Sequence, residues 1–364
     1  MRKDEQDQMG FKEFFSIIFF TTGSKSADMS TVFLFREGLN AAWIIVIGSF
    51  LLTIPSLLLL NYVLKKYKSK HILEVAELTL GRPIAFVIAF IILFFTTLNT
   101  ATDSRSYMTQ LITINFPNTP LFILCLLFLF LCMWGAKKGW EVVGSIAWTA
   151  FPYVLLGLGL LMFLMYREAT FNRMFPLFGT GQWEIAKASF RYTSLYLDPF
   201  VFAIMYPYVK NHKTYTRSLY SSLIFVALLM ALMYLSYVWV FDYRSIERIT
   251  FPLNEAIRIV TLGRTITNID TFFITFWLIG VFVKFIVYIY VIGKIFGYLF
   301  SIKEFEHALM PITLLILIIA LIPESNEVNM FAIRKNTIVY FKYLLLSLPL
   351  LLWIMTKIKE RRTT

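Results

Sequence analysis

Apolar residues run along this chain in unbroken stretches rather than in alternation. Gly38 to Leu64, Pro83 to Thr102, Val142 to Tyr166 and Ser218 to Phe241 hold no charged residue. About 20 residues, each rising 1.5 Å, cross the hydrocarbon of a bilayer. Stretches broken by one or two charges extend the pattern to ten, near residues 11–36, 40–63, 83–107, 119–135, 141–165, 188–209, 218–241, 269–299, 307–323 and 336–356. Only helices and closed barrels satisfy the backbone in lipid, and these runs do not alternate as barrel strands do. The pattern predicts an all-α integral membrane protein of ten transmembrane helices, with residues 1–364 forming a single transmembrane domain.

Two of the ten runs are themselves interrupted. The first contains TTGSKSAD, from Thr21 to Asp28, between Phe14–Phe20 and Thr31–Phe35; the sixth contains Asp198 and Pro199 within FRYTSLYLDPFVFAIMYPYV. Gly and Ser weaken a helix and Pro removes a donor, so each interruption frees carbonyls and amides that only a lined cavity or a ligand can satisfy at membrane depth. A matched pair of broken spans opening two halves predicts a five-plus-five inverted repeat, LeuT-like, with repeat one about 11–165, repeat two about 188–357 and a site near the midplane.

The interruptions carry the candidate chemistry. If the second half of the first span starts near Ser26, its free amides suit a carboxylate; Lys25 strengthens that preference, and Ser24 and Ser26 add hydroxyls. Asp198 suits an ammonium group, so the two breaks together predict a dipolar trap for an amino acid. The competing reading is a structural pair of Lys25 with Asp28 or Asp198, because an unpaired charge here is costly. Thr96, Asn99, Thr100 and Asp103 lie at helical spacing and form a polar stripe on the third span, serving either helix contact or a substrate path. Asp103 and Arg105 are read as gate or structural ions near its outer end. Lys284 stands between thirteen and nine uncharged residues, where it either replaces a coupling cation or pairs with Asp198 or Asp103. The candidate ligand-binding residues are Thr22, Gly23, Ser24, Lys25, Ser26, Asn99, Thr100, Asp198 and Pro199; Asp103, Arg105 and Lys284 are candidate ion-pair or coupling groups.

Composition and charge refine the picture. At 58% hydrophobic and 15% charged, the 364 residues are too apolar for a soluble globule. The net charge of +12 does not point to nucleic acid, because the basic residues sit in short segments between runs. With the amino terminus in the cytoplasm, Arg2, Lys3, Lys12, the Lys65–Lys70 cluster, Lys137, Lys138, Lys210, Lys213, Arg217, Lys294, Lys303 and the basic residues from Lys357 to Arg362 all fall inside. That bias predicts both termini on the cytoplasmic side. Asp4, Glu5, Asp7 and Glu13 make a poor leader, so the first run is read as a retained span rather than a cleaved signal. HILEVAELTLGRP reads as a short amphipathic helix on the inner surface, and the connections near 167–191 and 242–268 as outer caps. Cys125 and Cys132 lie about 10 Å apart along one helix, too far to bridge, and read as buried fillers. His71, His212 and His307 have no ligand spacing, and no phosphate loop or nucleophile–base set appears; no metal, cofactor or enzyme activity is expected.

With the ten-span layout, four further segments carry a resemblance: the inner segment ending LTLGRP; SRSYMTQLITINFPNTP with Arg105, Thr119 and Pro120; LDPFVFAIMYPYVKNHK; and IPESNEVNMF. In these the chain resembles the B subunits of bacterial spore germinant receptors, the spore germination permease family within the amino acid, polyamine and organocation transporter superfamily. An acidic residue, usually Glu, sits at the sixth-span break of that family, where this chain has Asp198; Gly-x-Gly is common in the first, where this chain has Gly23, Ser24 and Lys25. The resemblance implies a receptor subunit in the spore inner membrane. It would bind a small germinant such as an amino acid, possessing A and C subunits as partners and the lipid bilayer as its setting. A proton-coupled amino acid permease is the alternative, and a non-binding scaffold a third reading.

Overall fold

The computed structural model describes residues 8–28, 30–246, 248–261 and 269–363. Arg2, Lys3, Asp4, Glu5 and Asp7, used above for orientation and for the leader, lie outside the described residues. Among the described residues the regular structure is helical, save one bridge pairing Met9 with Val209.

The helices are α1 (Phe11–Gly23), α2 (Ser30–Gly38), α3 (Ala42–Lys66), α4 (Ile72–Leu80), α5 (Arg82–Ile114), α6 (Leu121–Ala136), α7 (Trp140–Arg167), α8 (Gln182–Arg191), α9 (Asp198–Phe202), α10 (His212–Val240), α11 (Tyr243–Ile246), α12 (Pro252–Thr261), α13 (Ile269–Phe300), α14 (Leu309–Leu321) and α15 (Lys335–Thr363). Six helical stretches are long and apolar enough to cross a membrane, and two shorter apolar ones run Leu121–Ala136 and Phe305–Leu321. Backbone turns separate neighbours where the sequence supplies glycine: Gly81 (φ +89°) divides α4 from α5, and Gly139 (φ +93°) divides α6 from α7, both at positive φ, which a side chain resists.

Both expected interruptions are present, with shifted boundaries. α1 ends at Gly23, a 3₁₀ turn covers Ser24–Ser26, and α2 begins only at Ser30. The expected restart near Ser26 fails because the Asp28 carboxylate accepts from the Ser30 amide at 2.7 Å and fixes the helix start there. In the second interruption α8 begins at Gln182, six residues before the expected 188, after Gly181 at φ +106°. The break itself is the 3₁₀ segment Tyr192–Tyr196, and Asp198 and Pro199 open α9 instead of lying inside the gap. Proline suits a first helical turn, where its missing donor costs no bond.

α1 lies centrally, packed against α7, α10 and α13, and it touches α9. The large apolar side chains on the outer faces, such as Leu156, Phe163, Leu228 and Ile318, are exposed to the surroundings of the bundle, as lipid requires. α4 is not free on a surface: it packs on α5 and α15 and buries Ile72, Leu73, Val75 and Ala76. Its start is a capping box in which His71 Nδ1 accepts from the Glu74 amide and the Glu74 carboxylate accepts from the His71 amide. Cys125 and Cys132 are both free and buried.

Candidate functional site

The freed backbone groups of the two breaks are satisfied by side chains from several elements. Lys25 Nζ donates to the Leu195 carbonyl at 2.7 Å, in the sixth-span break, and Lys342 Nζ donates to the Phe190 and Arg191 carbonyls at 3.0 and 3.1 Å. In the first break the Ser26 carbonyl accepts from Tyr237 Oη at 3.2 Å. Each break is therefore tied to another helix, not merely to its own chain.

The breaks also meet each other. Lys25 Nζ lies 2.8 Å from Asp198 Oδ2, Thr22 Oγ1 donates to the same oxygen at 2.9 Å, and Tyr288 Oη of α13 donates to Asp198 Oδ1. Lys25 thus stands where the sequence placed a ligand's ammonium group, and not beside a ligand's carboxylate. Of the two readings left open for it, the structure has the pair with Asp198.

A second charged group lies alongside. Arg334 donates from Nη2 to Asp28 Oδ2 at 2.6 Å, and its Nε sits 2.7 Å from Asp103 Oδ1. Lys284 Nζ reaches Asp103 Oδ2 at 2.7 Å and Tyr107 Oη at 3.3 Å. Lys284 and Arg334 are 1% and 2% exposed. Charges this deep persist only when paired, and together with Lys25 and Asp198 they make three cations against three carboxylates.

Asp103 therefore belongs to the centre and not to an outer gate with Arg105. Residues two apart on a helix point to different sides; Arg105 turns away and donates to the Ala320 carbonyl at 3.0 Å.

Between the breaks lies a narrow cavity of about 50 Å³, room for a few waters. Lys25, Asn99, Asp103, Asp198, Tyr288 and Arg334 are among its walls. Besides Arg334 Nε and Asp103 Oδ1, which face each other as the ion pair above, three polar atoms on these walls have no hydrogen-bond partner: Thr96 Oγ1, Asn99 Oδ1 and Arg334 Nη1. The remaining candidates lie elsewhere. Gly23, Ser24 and Ser26 face a separate, mostly apolar cavity of about 60 Å³ toward α7 and α13. Thr100 bonds back to the Thr96 carbonyl of its own helix, and Pro199 serves the first turn of α9. A larger open vestibule of about 950 Å³ lies at the end of the bundle near α4, lined by His71, Glu74, Glu77, Lys294 and Tyr298; none of the candidate site residues lines it.

Arg334, Lys335 and Tyr288 were not singled out from the sequence. Arg334 ends a π-helical stretch, Val328–Arg334, that leads into α15, so it sits inside the bundle although the tenth run appeared to begin at 336. A lone arginine six residues after Glu327–Val328 and next to a lysine looks like a loop charge; its depth depends on where the helix starts.

The Spore germination protein family matches residues 11–328. Spore germination protein KB of Bacillus subtilis (strain 168) is 23% identical over 331 residues, covering 88% of this chain and 88% of that protein. Among solved structures, a Na⁺-coupled sialic acid symporter in a substrate-bound outward-open state matches 92% of this chain and 75% of its own at a TM-score of 0.64 and 13% identity. MhsT in complex with L-phenylalanine matches 94% and 97% at 0.60 and 14% identity. The fold is that of the LeuT-like transporters. The family match stops short of Arg334 and Lys335.

Proposed function

Because the chain belongs to the spore germination protein family and is a multi-pass membrane protein with a transporter fold, we propose that it is the germinant-sensing membrane subunit of a spore germination receptor. In this reading it binds a small nutrient, an amino acid by family resemblance, in the cavity where the two breaks meet. Ten spans arranged as two inverted repeats, 11–165 and 188–357, put both termini on the cytoplasmic side of the spore inner membrane. A and C receptor subunits are its partners. Binding would shift the balance between arrangements of the bundle, and the partners would register the shift.

One observation carries this reading: two interrupted segments, far apart in sequence, come together around a cavity whose walls keep unpartnered polar atoms. Buried polar groups are nearly always bonded, so such atoms mark a place where a polar guest gains bonds. The purified chain, screened by thermal unfolding against amino acids, sugars and nucleosides, should gain stability with at least one, because a ligand that binds the folded state alone stabilises it by mass action. Stabilisation by none of them would remove the nutrient-binding reading. Liposomes then separate the alternative: binding without uptake of the labelled ligand fits a receptor, and saturable uptake driven by a proton gradient fits a proton-coupled amino acid permease.

A further inference from the structure

The charges around the cavity say which kind of nutrient fits, provided the ligand-binding reading above holds. A zwitterionic amino acid needs a place for its ammonium group and a place for its carboxylate. The first is taken: Lys25 Nζ already has Asp198 Oδ2 at 2.8 Å, the Leu195 carbonyl at 2.7 Å and the Ser194 carbonyl at 3.5 Å. These acceptors are what an incoming ammonium would use. The second is open. Arg334 Nη1 has no hydrogen-bond partner although the residue is 2% exposed, and Lys335, on the same wall, has no carboxylate within ion-pair distance among the described residues. Counting Lys25, Lys284, Arg334 and Lys335 against Asp28, Asp103 and Asp198, the cavity and the groups paired to its walls hold four cations and three carboxylates.

We propose that the cavity takes a small organic anion, a carboxylate that bears no ammonium group, with Arg334 and Lys335 receiving the carboxylate and Lys25 filling the ammonium place. Thr96 Oγ1 and Asn99 Oδ1, also unpartnered, receive a hydroxyl on the carbon next to that carboxylate. The excess positive charge is then neutralised by the guest. A zwitterion would leave it in place and would also have to displace Lys25 from Asp198.

Matched probes test this with the full chain in lipid nanodiscs: an L-amino acid, its 2-hydroxy acid and its amide, taken for alanine, valine and phenylalanine skeletons. In at least one skeleton the hydroxy acid should bind about tenfold more tightly than the amino acid, the worth of one charge-assisted bond, and the amide should not bind. Lys25→Met, which leaves Asp198 free for a ligand's ammonium, should reverse the preference. If that variant does not fold, Lys335→Gln, at a half-buried residue outside the ion pairs, should weaken the hydroxy acid about tenfold and leave the unfolding midpoint without ligand unchanged. Tighter binding of the amino acid by the unaltered chain overturns the proposal and leaves the nutrient-binding reading intact. An unchanged preference in Lys25→Met, or no effect of Lys335→Gln, overturns it too. If no member of any skeleton binds, the proposal fails, and the sugars and nucleosides of the wider screen decide the broader reading.

Discussion

Arg334 holds two carboxylates at once, Asp28 of the first break at 2.6 Å and Asp103 of α5 at 2.7 Å. Arg334→Met would leave two buried acids facing a single remaining cation, Lys284. Loss of one partner from a buried pair costs about 3–5 kcal/mol, so the variant should unfold at a markedly lower temperature in detergent, and Arg334→Lys should recover only part because an ammonium lacks the fork that spans both acids. An unchanged midpoint would show that the two contacts do not hold the bundle. Residues such as Lys25, Asp198 and Lys284 were legible in the sequence because a charge inside an apolar run is conspicuous and must find a partner. Which partner it finds was not legible. Lys25 chose between Asp28 and Asp198, and Lys284 between Asp103 and Asp198, through packing that no spacing encodes.

At the scale of elements, the interruptions depend on donors borrowed from other helices. Lys342 of α15 covers the Phe190 and Arg191 carbonyls, so Lys342→Met should leave them bare at a cost of about 1–3 kcal/mol. Hydrogen exchange would show the loss first in the turn at 190–196. Tyr237→Phe removes the donor to the Ser26 carbonyl and should cost about 1 kcal/mol by the same measurement at the first break.

Glycine, serine and proline announced both breaks, whereas their extent escaped the sequence: a capping aspartate moved one restart to Ser30, and a 3₁₀ run moved the other gap ahead of Asp198. α4 gives a pH-dependent case. Burial pushes the His71 imidazole from its ordinary 6.5 down to about 4, Lys294 and Lys70 add to the drop, and Glu74 opposes it. A group with a lowered folded value takes its proton more readily once undocked. The docking of α4 is therefore fully favourable above about pH 6.5 and weakens as pH falls from there toward 4. The protection of the Ile72–Leu80 amides, taken relative to their intrinsic exchange at each pH, should fall over that window, and His71→Gln should flatten the dependence.

For the whole molecule, the transporter fold was readable from ten apolar runs and two broken ones, because lipid leaves the backbone few alternatives. The centre was less readable, since it joins segments as distant as residues 28 and 334. Its six innermost charged side chains balance, three positive and three negative. A bundle that rearranges with these pairs intact shifts no net charge through the electric field of the membrane. One elementary charge carried across 100 mV is worth about 2.3 kcal/mol, and a balanced core forgoes that term. The balance between arrangements of the bundle without ligand, followed in vesicles clamped at different voltages, should therefore stay constant. The helices could then change places equally well in an energised membrane and in one without a potential.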